Sequence, residues 1–111
     1  WTIGKNFDGT GAFGPVLVTA DELPPGAAGL KIQGRLNGQV MQDANTIDMI
    51  FSVAEQIHYL SSILTLQPGD VIATGTPTGV GMGRGIYLKP GDVMVASIDG
   101  IGSIENPLVQ G

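Results

Sequence analysis

The chain has 111 residues, with 18 glycines, 7 prolines and no cysteine, and 42% of its residues are hydrophobic. This length and apolar content predict one globular domain and disfavour a disordered, collagen-like or membrane-spanning chain. Five basic against ten acidic residues give a net charge of −5. The basic residues are too widely spaced to neutralise adjacent phosphates, which disfavours nucleic-acid binding.

Charged residues make up only 14% of the chain, against about 25% in a typical soluble domain. So few charges predict that part of the surface is covered, either by a second copy or by a further stretch of the same polypeptide. The opening residue, Trp1, is not an initiator Met, so we expect a segment of something longer. The absence of cysteine removes disulfides and thiolate chemistry, and it favours a cytoplasmic location.

Several short apolar runs between turn signals predict β-strands. Residues 16–19 are of strand type, and residues 30–43 contain two alternating runs joined at Asn37-Gly38. That dipeptide favours the positive φ angles of a two-residue hairpin turn. Further strands are predicted at residues 71–74, 93–98 and 101–105.

The hydrophobic period changes to that of a helix between residues 46 and 65. This pattern predicts one helix of about 18 residues, capped at its start by Asn45 or Thr46. His58 is the single histidine and lies on the flank of the apolar stripe. We interpret it as a partly buried structural histidine rather than a metal ligand.

Two Pro-Gly-Asp triplets, at residues 68–70 and 90–92, predict turns that lead into strands. With several strands and a single helix, the predicted fold is mainly β with one helix (α+β). The expected architecture is a roll or barrel of mixed sheet with the helix packed alongside.

Glycine-rich segments contain the candidate functional residues. Residues 9–14 match the pattern G-x-G-x-x-G, but Pro15 and a strand follow in place of a helix, which disfavours nucleotide binding. Lys5, beside these glycines, could stabilise a developing oxyanion or be an ordinary surface lysine. Thr76 could offer its hydroxyl to an anionic ligand or simply end a strand.

In their order and spacing, several sequence blocks closely resemble the fumarylacetoacetate hydrolase superfamily. The resemblance extends over essentially the whole chain, and it corresponds to the C-terminal half of that superfamily's catalytic domain. The blocks are Gly-Lys-Asn-Phe-Asp at 4–8, residues 18–24, Asn-Gly at 37–38, residues 42–52, residues 66–81 around Gly-Thr-Pro, and Leu-Lys-Pro-Gly-Asp at 88–92.

The resemblance implies a mixed β-roll, a homodimer that often assembles further, and a Mg²⁺ or Mn²⁺ ion that binds α-keto-acid or β-diketone substrates. The implied reaction is C–C bond hydrolysis of an acylpyruvate-type substrate through a metal-held enolate. Isomerase, decarboxylase and hydratase or dehydratase activities occur in the same superfamily and remain alternatives. A relative that keeps the fold for dimerisation or ligand binding without catalysis is a further alternative.

Residue by residue, Lys5 matches the superfamily's active-site lysine, which neutralises negative charge on the substrate. Thr76 matches the threonine that contacts the substrate carboxylate. Gly9 stands where some members have a threonine near the metal, and glycine lacks that side-chain oxygen. The acidic metal ligands of the superfamily precede the lysine block, so we expect no ligand in this chain, and His58 matches none of them. Residues 1–111 alone are therefore expected to be inactive.

Overall fold

The computed structural model describes residues 3–110, with the exception of the Lys5 side chain. Four β-strands are present, Lys31–Leu36 (β1), Gln39–Asn45 (β2), Val93–Ile98 (β3) and Gly102–Pro107 (β4). The α-helices are Val53–Ser61 (α1) and Gly81–Arg84 (α2). Short 3-10 turns occupy Ile3–Lys5, Ala20–Glu22, Pro25–Ala27 and Thr46–Asp48.

The four strands form one sheet in the order β2-β1-β3-β4, and every neighbouring pair is antiparallel. The expectation of a mixed sheet is therefore wrong for the described strands. Tight turns join β1 to β2 and β3 to β4, and strands joined in this way must run antiparallel. The described sheet is open, with β2 and β4 at its edges.

The predicted hairpin at Asn37-Gly38 is confirmed. Asn37 and Gly38 have φ angles of 50° and 82°, and the residues on either side, Leu36 and Gln39, pair directly. Two consecutive positive φ angles match the twist of the flanking strands, and glycine adopts the second without strain. The strand predicted at 93–98 is also confirmed, and the last strand is Gly102–Pro107 instead of 101–105.

Two predicted strands are absent from the described sheet. Residues 16–19 and 71–74 have strand-type composition but pair with no described strand. A strand-type run becomes a strand only when a neighbour completes its hydrogen bonds, so composition alone is not sufficient. Val16, Leu17 and Val71 have exposed side chains.

The predicted long helix is wrong in its length. The segment begins as the 3-10 turn Thr46–Asp48, and Asn45 is its N-cap. Asn45 is one of the two predicted caps. The nine-residue helix α1 then starts separately. Ser52 Oγ accepts from the Glu55 N–H at 3.3 Å, and Glu55 Oε2 accepts from the Ser52 N–H at 2.7 Å. This capping box satisfies backbone donors at a new helix start, which divides the segment.

The two Pro-Gly-Asp turns have the same geometry. The Asp70 N–H donates to the Gln67 carbonyl at 3.1 Å, and Asp70 Oδ2 accepts from the Gln67 N–H at 2.8 Å. The equivalent distances between Asp92 and Lys89 are 3.1 and 2.9 Å. Only the second turn leads directly into a described strand, β3.

The described residues bury little apolar surface among themselves. Leu30 is the one apolar side chain in residues 3–110 that is buried, at 8% exposure. Ile50, an apolar residue within the segment predicted as a helix, is 91% exposed. Neither α1 nor any other helix in this range has the length and apolar character needed to cross a bilayer.

Candidate functional site

Thr76 lies in the loop between residues 75 and 80, and its side chain is exposed. The loop is attached to β2 by the amide of Gln42. Gln42 Nε2 donates to Thr76 Oγ1 at 2.9 Å and to the Pro77 carbonyl oxygen at 2.7 Å. One side chain of the sheet therefore holds both the hydroxyl and the backbone of the Gly-Thr-Pro segment.

A β-bulge in β2 presents this edge of the sheet to the loop. Gly34 pairs with Gln42 and Arg35 pairs with Val40, so Met41 is an extra residue with no partner on β1. Bulges disrupt the ladder locally and re-aim side chains. The Met41 carbonyl oxygen is used outside the ladder, where it accepts from Arg84 Nη2 at 3.0 Å.

The loop approaches the bulge so closely that only glycine fits at position 79. A Cβ atom on Gly79 would overlap the Met41 carbonyl oxygen, and the φ angle of Gly79 is 105°. Glycine tolerates both conditions because it has no Cβ. Gln42, Gly79 and Arg84 together fix the loop that carries Thr76 against β2.

A cavity of about 220 Å³ lies beside Gln42, between the β1–β2 hairpin and the loop. Apolar side chains form most of its wall. They are Leu36, Met41, Val80, Ile86, Leu88 and Met94.

Lys5, the other predicted site residue, has its backbone in the 3-10 turn Ile3–Lys5. Its side chain lies outside the described part of the chain. The structure therefore places Thr76 with Gln42, and the role predicted for Lys5 stays a prediction.

Among the charged side chains that the structure describes, Asp92 is the most deeply buried, at 3% exposure. Its Oδ1 accepts from Asn37 Nδ2 and from Lys89 Nζ, each at 2.9 Å, and its Oδ2 accepts from the Lys89 N–H. The Asn37 hydrogen bond, followed by those from Lys89, lowers the pKa of Asp92 from 3.8 to about 2. Because the Asn37 hydrogen bond joins the β1–β2 turn to the start of β3, we assign Asp92 a structural role.

His58 is exposed on α1, so the interpretation of a partly buried histidine is wrong for the described structure. Across residues 3–110, acidic and histidine side chains form no group of three or more that could hold a metal ion. The described residues therefore do not fit a metal centre.

The sequence analysis missed Gln42, Met41 and Arg84 as parts of this site. Gln42 lies within one of the blocks that carried the resemblance, yet its residue type alone suggests no role. The bulge had a weak signal, because Val40 and Met41 are consecutive apolar residues in an otherwise alternating run. Arg84 follows four residues after Val80 in a glycine-rich loop, where nothing indicates a contact with β2.

The model of the fumarylacetoacetate (FAA) hydrolase C-terminal family matches residues 1–109. The chain belongs to this family. The resemblance expected from the sequence blocks is thereby confirmed, and the match includes both Lys5 and Thr76.

Curated relatives in the family are considerably longer than this chain. A Burkholderia multivorans protein is 50% identical over 105 residues, which cover 92% of this chain and 37% of that protein. A Pyrococcus abyssi protein is 45% identical over 109 residues, which cover 98% of this chain and 45% of that protein. The chain thus spans less than half the length of these relatives.

Solved structures of family members have the same fold in the matched region. A fumarylacetoacetate hydrolase from Exiguobacterium antarcticum is 41% identical with a TM-score of 0.93, over 98% of this chain and 39% of its own. Maleylpyruvate hydrolase from Sphingobium, in complex with manganese and pyruvate, is 39% identical with a TM-score of 0.80, over 88% and 35%. A Mycobacterium smegmatis 5-carboxymethyl-2-hydroxymuconate delta-isomerase is 35% identical with a TM-score of 0.68, over 75% and 31%.

Proposed function

We propose that the full-length protein containing this chain is a divalent-metal-dependent hydrolase that cleaves a C–C bond of an acylpyruvate-type substrate. The observation that carries this proposal is the exposed Thr76 hydroxyl, held on a fixed loop by Gln42. It is supported by the similarity to maleylpyruvate hydrolase, a structure in complex with manganese and pyruvate. Pyruvate has a carboxylate group, and a threonine hydroxyl can donate a hydrogen bond to it.

Hydrolysis of an acylpyruvate adds one water across a C–C bond. The hydroxyl of water joins the acyl carbon, which leaves as a carboxylic acid. The electrons of the broken bond stay on the neighbouring methylene carbon, which takes a proton and becomes the methyl group of pyruvate. In this scheme the Thr76 hydroxyl binds the substrate carboxylate, and the Lys5 ammonium group stabilises the negative charge that develops during cleavage.

We propose that the metal, Mg²⁺ or Mn²⁺, is held by residues outside this chain, because the described residues form no ligand cluster. When bound, such an ion supplies a Lewis acid that polarises a carbonyl oxygen. This chain contributes substrate contacts, and by this proposal residues 1–111 alone have no activity.

The exposed apolar side chains support a proposal about assembly. We propose that the rest of the polypeptide and a second subunit cover them, in a homodimer whose complete domain is a mixed β-roll. The cytoplasmic location that the cysteine-free sequence favours stays a prediction.

An isomerase is the second candidate function, because one similar structure is a delta-isomerase. The two activities differ in their products. Hydrolysis adds a water and releases pyruvate, whereas isomerisation leaves the substrate mass unchanged. Mass analysis of the products separates these candidates.

The proposed function predicts that turnover requires both the metal and Lys5. We expect a chelator to abolish pyruvate release by the full-length protein, and added Mn²⁺ to restore it. Lys5→Ala should lower turnover by about 100-fold, the usual loss when a group stabilising transition-state charge is removed. Lys31→Ala is the matched control, since Lys31 is exposed and makes a surface ion pair with Asp43 at 3.6 Å.

Chelator-insensitive turnover, or equal rates for Lys5→Ala and Lys31→Ala, would contradict the proposal. A full-length protein that binds pyruvate but turns over no acylpyruvate would favour the non-catalytic alternative.

A further inference from the structure

The hydrogen bonds of Gln42 have a defined direction. Its Nε2 atom lies 2.7 Å from the Pro77 carbonyl oxygen and 2.9 Å from Thr76 Oγ1. A carbonyl oxygen only accepts, so the amide atom facing Pro77 must be the nitrogen. Of its two hydrogens, one is directed to Pro77 and the other to Thr76. Thr76 Oγ1 is therefore the acceptor in its contact with Gln42.

This direction determines what the Thr76 hydroxyl can do. A threonine hydroxyl has one proton and two lone pairs. Since a lone pair accepts from Gln42, the proton of Oγ1 points away from the amide, and Thr76 is exposed. An outward proton is suited to donate to an anionic acceptor, and such charge-assisted hydrogen bonds are stronger than neutral ones.

The hairpin leaves room for the amide that imposes this direction. Gly34 pairs with Gln42 across β1 and β2, and a Cβ atom on Gly34 would lie 3.0 Å from Gln42 Oε1. Because Gly34 has no Cβ atom, the Gln42 amide can occupy this space. The unpaired residue Met41 immediately before Gln42 sets the strand's bulge, and Arg84 holds its carbonyl.

From these contacts we infer that Gln42 is a positioning residue, which orients the Thr76 hydroxyl to donate to the substrate carboxylate. The inference rests on the proposed function, since it needs an anionic group at Thr76. Gln42 acts through Thr76 and not on the reacting atoms. Its loss should therefore weaken binding of the carboxylate in the ground state and the transition state alike, which raises KM and leaves kcat nearly unchanged.

The substitution Gln42→Glu tests this direction. It keeps the side-chain length, but an ionised carboxylate only accepts, so Thr76 would turn its proton inward and lose the outward donation. Gln39→Glu is the matched control, because it introduces the same charge on β2 at an exposed position. Thr76→Val removes the hydroxyl itself.

The measurement is calorimetric titration of pyruvate into the Mn²⁺-loaded full-length protein. Thr76→Val should raise the Kd by about tenfold, the loss expected for a hydrogen bond to a charged group. Gln42→Glu should raise it by a similar factor, with the matching change in KM. The double variant should bind no more than about twofold more weakly than either single variant, because both remove the same donation. Gln39→Glu should leave the Kd unchanged.

Independent effects of Gln42→Glu and Thr76→Val on the Kd of pyruvate would overturn the inference. If the two losses multiply to about a hundredfold in the double variant, Gln42 does not act through Thr76. Wild-type affinity in Gln42→Glu would overturn it as well.

Gln42→Met provides the same test if Gln42→Glu does not fold. It should weaken pyruvate binding severalfold when Thr76 is present and have no effect in the Thr76→Val background. An equal effect in both backgrounds overturns the inference. Failure of the wild-type protein to bind pyruvate overturns the proposed function, and this inference with it.

Discussion

At the scale of single residues, Asp92 and Asp70 show how context changes one sequence motif. Both follow Pro-Gly and both accept from the backbone N–H three residues earlier. Asp92 is buried and also accepts from the Asn37 and Lys89 side chains, whereas Asp70 is exposed. The additional hydrogen bonds to its ionised form lower the pKa of Asp92 to about 2.

A depressed pKa makes the contribution of Asp92 to stability dependent on pH. Because the ionised form is favoured in the folded state, this contribution is complete above the ordinary pKa of 3.8 and is lost as the pH falls through about 2. We expect Asp92→Asn to destabilise the full-length protein at pH 7. The same variant should flatten the fall of unfolding free energy between pH 4 and 2, measured by denaturant titration.

Asp70→Asn is the control for that experiment, because it makes the same change in the other Pro-Gly-Asp turn, where the aspartate is exposed. It should cause a smaller loss of stability at pH 7. Equal losses at pH 7 and unchanged acid dependence in Asp92→Asn would contradict the structural role assigned to Asp92.

At the scale of elements, the loop carrying Thr76 depends on β2 for its position. The bulge leaves the Met41 carbonyl outside the ladder, where Arg84 binds it, Gln42 donates two hydrogen bonds, and Gly79 permits the close approach. None of these contacts joins two residues of the loop. The predicted site residue Thr76 is therefore placed by an element more than 30 residues earlier in the sequence.

Gly79→Ala should disturb this attachment. A Cβ atom there overlaps the Met41 carbonyl, and a φ of 105° is unfavourable for alanine, so we expect a loss of about 1–3 kcal/mol in unfolding free energy. Pyruvate binding should weaken as well, because the loop shifts away from Gln42. Denaturant titration and calorimetry of the full-length protein measure the two effects.

The control is Gly83→Ala, since a Cβ atom at Gly83 meets nothing within 4 Å. Alanine is also the better helix former within α2. If Gly79→Ala is as stable and binds as tightly as Gly83→Ala, the close approach of the loop to β2 is not required.

At the scale of the whole molecule, the described residues are more expanded than a globular domain of their length. The radius of gyration is 15.3 Å, compared with about 13 Å for a compact domain of about 100 residues. Large apolar side chains remain exposed on several elements. Examples are Ile47 at 70%, Phe51 at 63%, Val71 at 67%, Met82 at 80% and Tyr87 at 78%.

This exposure predicts that residues 1–111 alone do not unfold cooperatively. Complete burial of a large apolar side chain contributes about 1.5–3 kcal/mol, and few are buried here to offset about 1–2 kcal/mol of backbone entropy per residue. We expect the isolated chain to bind a hydrophobic dye and to show a broad thermal transition. The full-length protein, as the control, should show a sharp one. A sharp transition in the isolated chain would contradict this prediction.

Features that depend on neighbouring residues could be predicted from the amino-acid sequence. Asn37-Gly38 specified the hairpin, because its positive φ angles are a local property, and the two Pro-Gly-Asp triplets specified their turns. The ordered blocks determined the family, because they are a property of the sequence alone. The Ser-x-x-Glu pattern at Ser52 was also a readable local signal for the start of α1, although the longer apolar period concealed it.

Features that depend on distant partners became visible only in the folded chain. Residues 16–19 and 71–74 have strand composition but pair with no described strand, and His58 is exposed on α1 although its position on the apolar flank predicted partial burial. Thr76 Oγ1 accepts from Gln42, which lies on a strand that pairs with β1 through a bulge. Such contacts require the chain to return to itself, so local propensities do not contain them.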